Sequence, residues 1–341
     1  MKILLAIIIT ATFSFGCAML EGEQTTTDSG GGVTTSAPTG GGDSTPTVAA
    51  DSSVTGQRIS AGSLHTCAIK SDDTVECWGV ESGSYYYGQT NVPVGLGSVK
   101  SVAAGYSHTC AIKADDSVQC WGDNGQGQLN IPSGLGPVTS IAAGYYHTCA
   151  IRPNYSLVCW GVESGWFYYG QLNIPSGLGS VKSVAAGSYH TCAIKADDTV
   201  ECWGQDSTGQ STVPSGLGSV RSIAAGKDHT CAIKADDSVE CWGNYSVQST
   251  VPADLGTVSS ISAGHRNACA TKTDGTAQCW GNDYSGQSTV PADLGTVLQI
   301  TTDGIYLGGY VGHTCAIKAN DSVQCWGSDY SGQSTVPADF Q

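Results

Sequence analysis

Fourteen of the fifteen cysteines in this 341-residue chain fall into seven Cys-x9-Cys pairs. In six of the seven, a histidine stands two residues before the first cysteine: His65, His108, His147, His190, His229 and His313. Thiols and imidazoles in such numbers suit two chemistries, disulfide formation and metal ligation. Metal ligation needs several ligands converging on one ion, with nitrogens at about 2 Å. Equivalent histidines on successive repeats are too far apart to converge in that way. The histidines are therefore read as structural hydrogen-bonding groups, and no metal site is expected. The cysteines point to disulfides, and the element between each pair explains why.

That element is HTCAIKADDSVQCWG, residues 108–122, with close copies from His65, His190 and His229 and weaker ones from His147, Asn267 and His313. Short β-prone segments flank a polar loop of three residues, Ala114-Asp115-Asp116 in this copy. Three-residue hairpins put their last loop residue in the left-handed region, which Asp, Asn and Gly tolerate. The copies place Asp73, Asp116, Asp198, Asp237, Gly275 and Asp321 there, and only Tyr155 departs. The loop sets Lys113 opposite Ser117, Ile112 opposite Val118 and Cys110 opposite Cys120. If Lys113–Ser117 is a hydrogen-bonded pair, the cysteines occupy a non-hydrogen-bonded site with Cα atoms about 4.5–5.5 Å apart, within disulfide reach. The expected bridges are Cys67–Cys77, Cys110–Cys120, Cys149–Cys159, Cys192–Cys202, Cys231–Cys241, Cys269–Cys279 and Cys315–Cys325. The alternative is fourteen reduced, buried thiols. Complete pairing and an export signal weigh against it. The strand period of two puts Cys110, Ile112, Val118 and Cys120 on one face and Ala111 and Trp121 on the other. Both faces are partly apolar, so each needs a covering layer.

Residues 1–16 carry one lysine and a short apolar run, which reads as a signal peptide rather than a membrane span. It ends at Gly16-Cys17. Cys17 is the only cysteine outside the pairs, and its setting resembles a bacterial lipobox, although Ser14 and Phe15 depart from that pattern. The resemblance implies cleavage before Cys17 and lipidation of Cys17; ordinary secretion with cleavage nearby is the alternative. Residues 17–57 are rich in Ser, Thr, Gly and Asp and bury too little apolar surface to fold, so they read as a tether.

Residues 58–341 are the folded part. First cysteines fall 38–46 residues apart, a period of short-stranded units that points to a propeller rather than a helical solenoid. Each unit adds a strand before the hairpin, such as residues 140–144, and one after it, such as residues 127–132. The expected fold is all-β, a seven-bladed propeller with four-stranded blades and small Ala-Gly pairs near the axis.

Gly105, His108, Thr109, Ala111, Ile112, Val118, Trp121, Gly122, Gly127 and Gln128, repeated in phase, resemble the repeat of the regulator of chromosome condensation (RCC1) family. The resemblance implies a seven-bladed β-propeller. The chain departs by shorter repeats, by the cysteine pair and by Val247 in place of the glycine before Gln248. The cysteine pairs look like those of secreted bacterial members. The family's nucleotide-exchange and chromatin roles transfer poorly to an exported, disulfide-bonded protein. A formal charge of −15 also opposes binding to a phosphate backbone, so no nucleic-acid partner is expected.

No catalytic constellation stands apart from the repeat, and neither an enzyme nor a cofactor is expected. The paired aspartates at the hairpin tips supply too few oxygens for tight Ca²⁺ binding and read as turn residues. The repeat tryptophans read as inter-blade packing. Copies one and three carry an insertion after Trp-Gly that holds Tyr85, Tyr86, Tyr87 and Trp166, Phe167, Tyr168, Tyr169. Rings on loops give large contact area at low entropic cost, so these seven are the candidate binding residues. The alternative is that they fold onto a neighbouring blade. Residues 301–311 lengthen copy seven and either cap the ring or add to a face. The expected protein is a monomeric, non-enzymatic binding module, lipid-anchored to a bacterial cell envelope, at the outer membrane or cell surface. Its partner would be an envelope or extracellular protein. A glycan ligand, or a structural repeat protein without a ligand, are the alternatives.

Overall fold

The computed structural model describes residues 57–244 and 247–341. The expected signal segment 1–16, the Cys17 site and residues 17–56 of the tether lie outside the described residues.

Seven antiparallel sheets follow one another along the chain, each with three strands in sequence order. In the second, Val99–Ala104 pairs with His108–Lys113, which pairs with Val118–Gly122. The sheets form the blades of a seven-bladed β-propeller. Lys113 N–H donates to the Ser117 carbonyl at 2.8 Å, and Cys110 lies opposite Cys120. The Cα atoms of the seven cysteine pairs are 4.0–4.1 Å apart, and every pair is a disulfide. The last hairpin residue is left-handed in each copy, from Asp116 at φ 65° to Tyr155 at φ 65°.

The blades are three-stranded, not four-stranded. The segment expected to form the fourth strand, Gly127 to Pro132, folds into successive turns instead. Gly127 has φ +80°, Asn130 N–H donates to the Gly127 carbonyl and Ile131 N–H to the Leu129 carbonyl. A backbone coiled on itself has no row of groups to offer a ladder, and Pro132 lacks a donor. The segment reaches the next blade instead. The Gln128 carbonyl accepts from Thr148 Oγ1 and from Trp160 Nε1 at 3.0 Å, both in blade three. All seven repeat tryptophans donate to such a glutamine carbonyl.

Side-chain alternation builds the core between blades. Cys67, Ile69 and Val75 of blade one pack against Val102, Ala111 and Trp121 of blade two, with Leu96 of the connecting segment. Every interface repeats this plan. At the last one, Cys315, Ile317 and Val323 meet Ile59, Ala68 and Trp78, and Phe340 stands where the others have leucine. The ring therefore closes through the segment after blade seven. Its Gln333 carbonyl accepts from Thr66 and Trp78, Phe340 lies 5.5 Å from the Trp78 ring, and Asp339 pairs with Lys70.

Candidate functional site

The loops of one propeller face are held by a ring of histidines. His65 Nε2 lies 2.9 Å from Thr109 Oγ1 of the next blade, and the same link joins His108 to Thr148, His147 to Thr191, His190 to Thr230 and His313 to Thr66. Each threonine hydroxyl donates onward to a glutamine carbonyl, so the imidazole must donate through Nε2–H. Burial drives these imidazoles down, His65, His147 and His190 to about 3 and His108, His229 and His313 to about 4. All six are neutral, and five of them donate to a threonine of the next blade. The ring explains the repeat glycine. A Cβ on Gly105 would lie 2.4 Å from His108 Cε1 and 2.3 Å from the Gly144 carbonyl of the next blade. Among the described residues no group of three or more His, Cys, Asp or Glu is placed to share a metal ion.

Both aromatic insertions emerge on this face, and the repeat glutamine clamps each base. Gln89 Oε1 accepts from Tyr87 N–H and Gln89 Nε2 donates to the Tyr85 carbonyl, at 2.7 and 2.8 Å. Gln171 does the same for Tyr169 and Phe167. The two glutamines are fully buried, so these loops have a fixed root. The seven candidate rings then divide. Trp166 is 93% exposed at the loop tip, and Tyr85, Tyr87 and Tyr169 are also exposed. Tyr86 packs against Leu64, Val80 and Ile305. Tyr168 is half-buried and donates to Asn173 Oδ1. Phe167 retains an exposed edge yet lies 4.5 Å from the Tyr146 ring.

Phe167 thereby joins a floor that sequence reading missed: Tyr106, Tyr145, Tyr146 and Tyr189. Tyr106 lies 4.8 Å from Tyr145, Tyr146 6.1 Å from Tyr189, and Tyr169 5.3 Å from Tyr189. Burial, then neighbouring hydroxyls, push the phenols of Tyr106, Tyr146 and Tyr189 up, so they stay neutral. The signal was present. The two positions before each repeat histidine vary while their flanks stay constant, and copies two to four put tyrosine there. The chain thus carries one aromatic surface over blades one to four.

Residues 301–311 turn out to extend the first hairpin of blade seven, pairing as far as Tyr306 with Tyr310. Its Ile305 covers Leu64 and Val80. At its tip Tyr310 stacks on Tyr284 at 5.7 Å and carries the Arg266 guanidinium 4.4 Å above its ring. The extension therefore both caps the axis and adds to the face. On the opposite rim, Asp115 accepts from the Ser117 N–H and hydroxyl, which hold its carboxyl below the usual range, and Asp116 pairs with Lys100. Those aspartates shape turns.

The family model for the regulator of chromosome condensation (RCC1) repeat matches residues 57–89, 99–128, 138–171, 181–210, 220–246, 258–287 and 309–333. No curated protein sequence matches the chain. Among solved structures, the chain is similar to the CRINKLY WD40 ectodomain of the Arabidopsis thaliana receptor kinase ACR4. Identity is 23% over 80% of this chain and 98% of that one, with a TM-score of 0.62. The ectodomain of the Physcomitrella patens receptor kinase CR4 matches at 24% identity over 79% and 72%, also with a TM-score of 0.62. Prp20p of Saccharomyces cerevisiae, whose structure is described together with its binding to Gsp1p and histones, matches at 18% identity over 69% and 73%, with a TM-score of 0.57. At these identities the likeness is one of fold.

Proposed function

Because the chain belongs to the regulator of chromosome condensation (RCC1) repeat family, we propose that it is a non-enzymatic binding module that engages a protein partner through its aromatic face. The observation that carries this reading is Trp166, almost wholly exposed on a loop rooted by a buried glutamine and flanked by a packed aromatic floor. An exposed tryptophan on a preformed loop loses little entropy on binding and has large area to bury. Closure of the ring does not require it, since blades two, four, five and six connect through short polar turns.

Seven disulfides fit an oxidising compartment. With the apolar start of the chain and Cys17, they support export and lipid anchoring to a bacterial envelope. The histone and Gsp1p binding of Prp20p does not suit an exported chain. Trp166→Ala with Tyr87→Ala should cost on the order of 2 kcal/mol in partner affinity if these are hot spots. Stability should move by no more than about 0.5 kcal/mol. Capture of one envelope protein by the wild type but not the variant supports the reading. Equal capture by both overturns it. Binding on a glycan array that disappears in the variant would assign the face to sugar rings, which also stack on exposed aromatics. Cys17→Ser should release the protein from membranes, and a variant that stays bound would point to another anchor.

A further inference from the structure

The inner strands of all seven blades line a channel of about 840 Å³ along the propeller axis. Its walls are mostly serine, alanine and glycine, so neutral hydroxyls and backbone face the interior. The end at the aromatic face is obstructed. Tyr145 crosses from blade three to blade seven, where its hydroxyl donates to the Gly304 carbonyl at 3.0 Å, and the Ser63 and Ser188 hydroxyls flank it. The other end is bordered by Lys100 and Asp116, which neutralise one another at 2.6 Å.

Beside Tyr145 at the obstructed end sits Asp303. It occupies the place where the six other blades have glycine: Thr302 pairs with Thr314 as Ala104 pairs with Thr109, and Gly105 follows Ala104. Nothing in the repeat calls for a carboxyl there. The group lies deep inside the protein yet keeps a partly accessible surface on the channel. It accepts from the Gly304 N–H and, at 3.5 Å, from the Ser63 hydroxyl. Among the described residues no lysine, arginine or histidine forms an ion pair with it. Of the charged residues lining the channel it is the one without a countercharge. Burial pushes its pKa up to about 7, the expected cost of holding a carboxylate there alone. A narrow cation that reached it would meet a carboxylate, an aromatic ring and a wall of hydroxyls, the groups that recognise an alkylammonium.

We propose that the axial channel is a binding site for a slender primary ammonium, such as an alkylamine or an amine-bearing side chain, which enters at the Lys100–Asp116 end and pairs with Asp303 beneath Tyr145. The site shares Tyr145 with the floor of the aromatic face but opens at the opposite end of the propeller, and it does not depend on the function proposed for that face.

The test uses the folded protein, n-butylammonium as probe and butan-1-ol as its neutral counterpart, by calorimetric titration at physiological ionic strength and mildly alkaline pH. The expected result is one site per chain for butylammonium, none for butanol, and nuclear Overhauser contacts from the butyl protons to the Tyr145 ring. Asp303→Asn should weaken binding by about thirtyfold or more. Asp303→Gly, which installs the residue of the six other blades, should do the same and covers the case in which the asparagine variant fails to fold. Asp116→Asn should leave the contacts to Tyr145 in place. Three results would overturn the proposal: no binding by the wild type, unchanged affinity in both Asp303 variants, or several weak sites per chain without contacts to Tyr145.

Discussion

Between blades five and six the histidine ring has a missing link, and restoring it should stabilise the protein. In six blades a threonine follows the repeat histidine position, but Ala268 stands there in blade six. As a result His229 Nε2 is buried without a hydrogen-bond partner among the described residues, whereas His190 Nε2 has Thr230 at 2.8 Å. The Gln248 carbonyl accepts from Trp280, and its counterpart Gln210 accepts from both Trp242 and Thr230. Ala268→Thr would give His229 Nε2–H an acceptor and bring a hydroxyl donor to the Gln248 carbonyl, as Thr230 does for Gln210. Space for a hydroxyl is expected because five of the six other blades seat theirs against the equivalent neighbour, the preceding blade's cysteine sulfur, at 3.6–3.9 Å. A typical internal hydrogen bond is worth about 1 kcal/mol net, and an unsatisfied buried group costs about 1–3. After the entropy of fixing the new side chain, a gain of about 1–2 kcal/mol remains. At about 2–4 °C per kcal/mol for a domain approaching this size, the melting temperature should rise by a few degrees. Ala268→Val, equal in shape without the hydroxyl, separates bonding from packing. If calorimetry shows the threonine variant no more stable than the valine variant, the histidine–threonine ring is not what secures the blade seams.

Tyr155 holds φ 65° at an exposed turn where the other copies have Asp or Gly. Tyr155→Asn should gain about 1 kcal/mol in denaturant unfolding by removing left-handed strain, and a loss would mean that the ring packs usefully. Gly144→Ala should prevent folding or cost several kcal/mol, because its Cβ would sit 2.3 Å from the Gly187 carbonyl and 2.4 Å from His147 Cε1. A folded variant of wild-type stability would refute the close approach. Acid should weaken the fold. The ring imidazoles stay neutral down to about 3–4 when folded, but protonate near 6.5 when unfolded. Between those values the unfolded chain binds more protons, so stability falls as pH drops below 6.5, by about 1.4 kcal/mol per unit for one such group. Asp303, raised to about 7, holds a proton in the folded state that the unfolded chain loses near 3.8, and so acts in the opposite sense. Asp228, raised by burial, acts with Asp303, whereas His265, lowered by burial to about 3, joins the six ring histidines, so the histidines outnumber the opposing carboxyls. Equal denaturant midpoints at pH 7 and pH 5 would contradict this balance.

The hairpin was legible in the sequence because its determinants are local. A three-residue loop sets the register, the register sets Cys110 opposite Cys120, and the period of two sorts Ile112 from Trp121. The step from hairpin to blade is not local, and the expected fourth strand is absent among the described residues. Residues 127–132 alternate like a strand, but their hydrogen bonds go to their own turns and to Thr148 and Trp160 of the next blade. No local pattern reveals that destination. The two insertions were visible as breaks in the repeat. The tyrosines of the floor were visible at variable positions before the repeat histidine, but not their union, because Tyr106, Tyr146 and Tyr189 meet only once three blades stand side by side. The Tyr145–Gly304 bond joins residues 159 positions apart and exists only because the ring closes.

That closure has a topological consequence. Each blade is one uninterrupted stretch of chain, and blade one is completed by the segment after blade seven in the same way that blade two is completed by the segment after blade one. Among the described residues no sheet is woven from distant parts of the sequence, so the cut between blades seven and one is only one of seven equivalent places for it. A circular permutant opened at an inter-blade turn, such as the polar one at Asp206, and joined across the present gap would keep every sheet and every disulfide. An ancestral gene could likewise have gained or lost whole repeats without ever passing through a half-built blade.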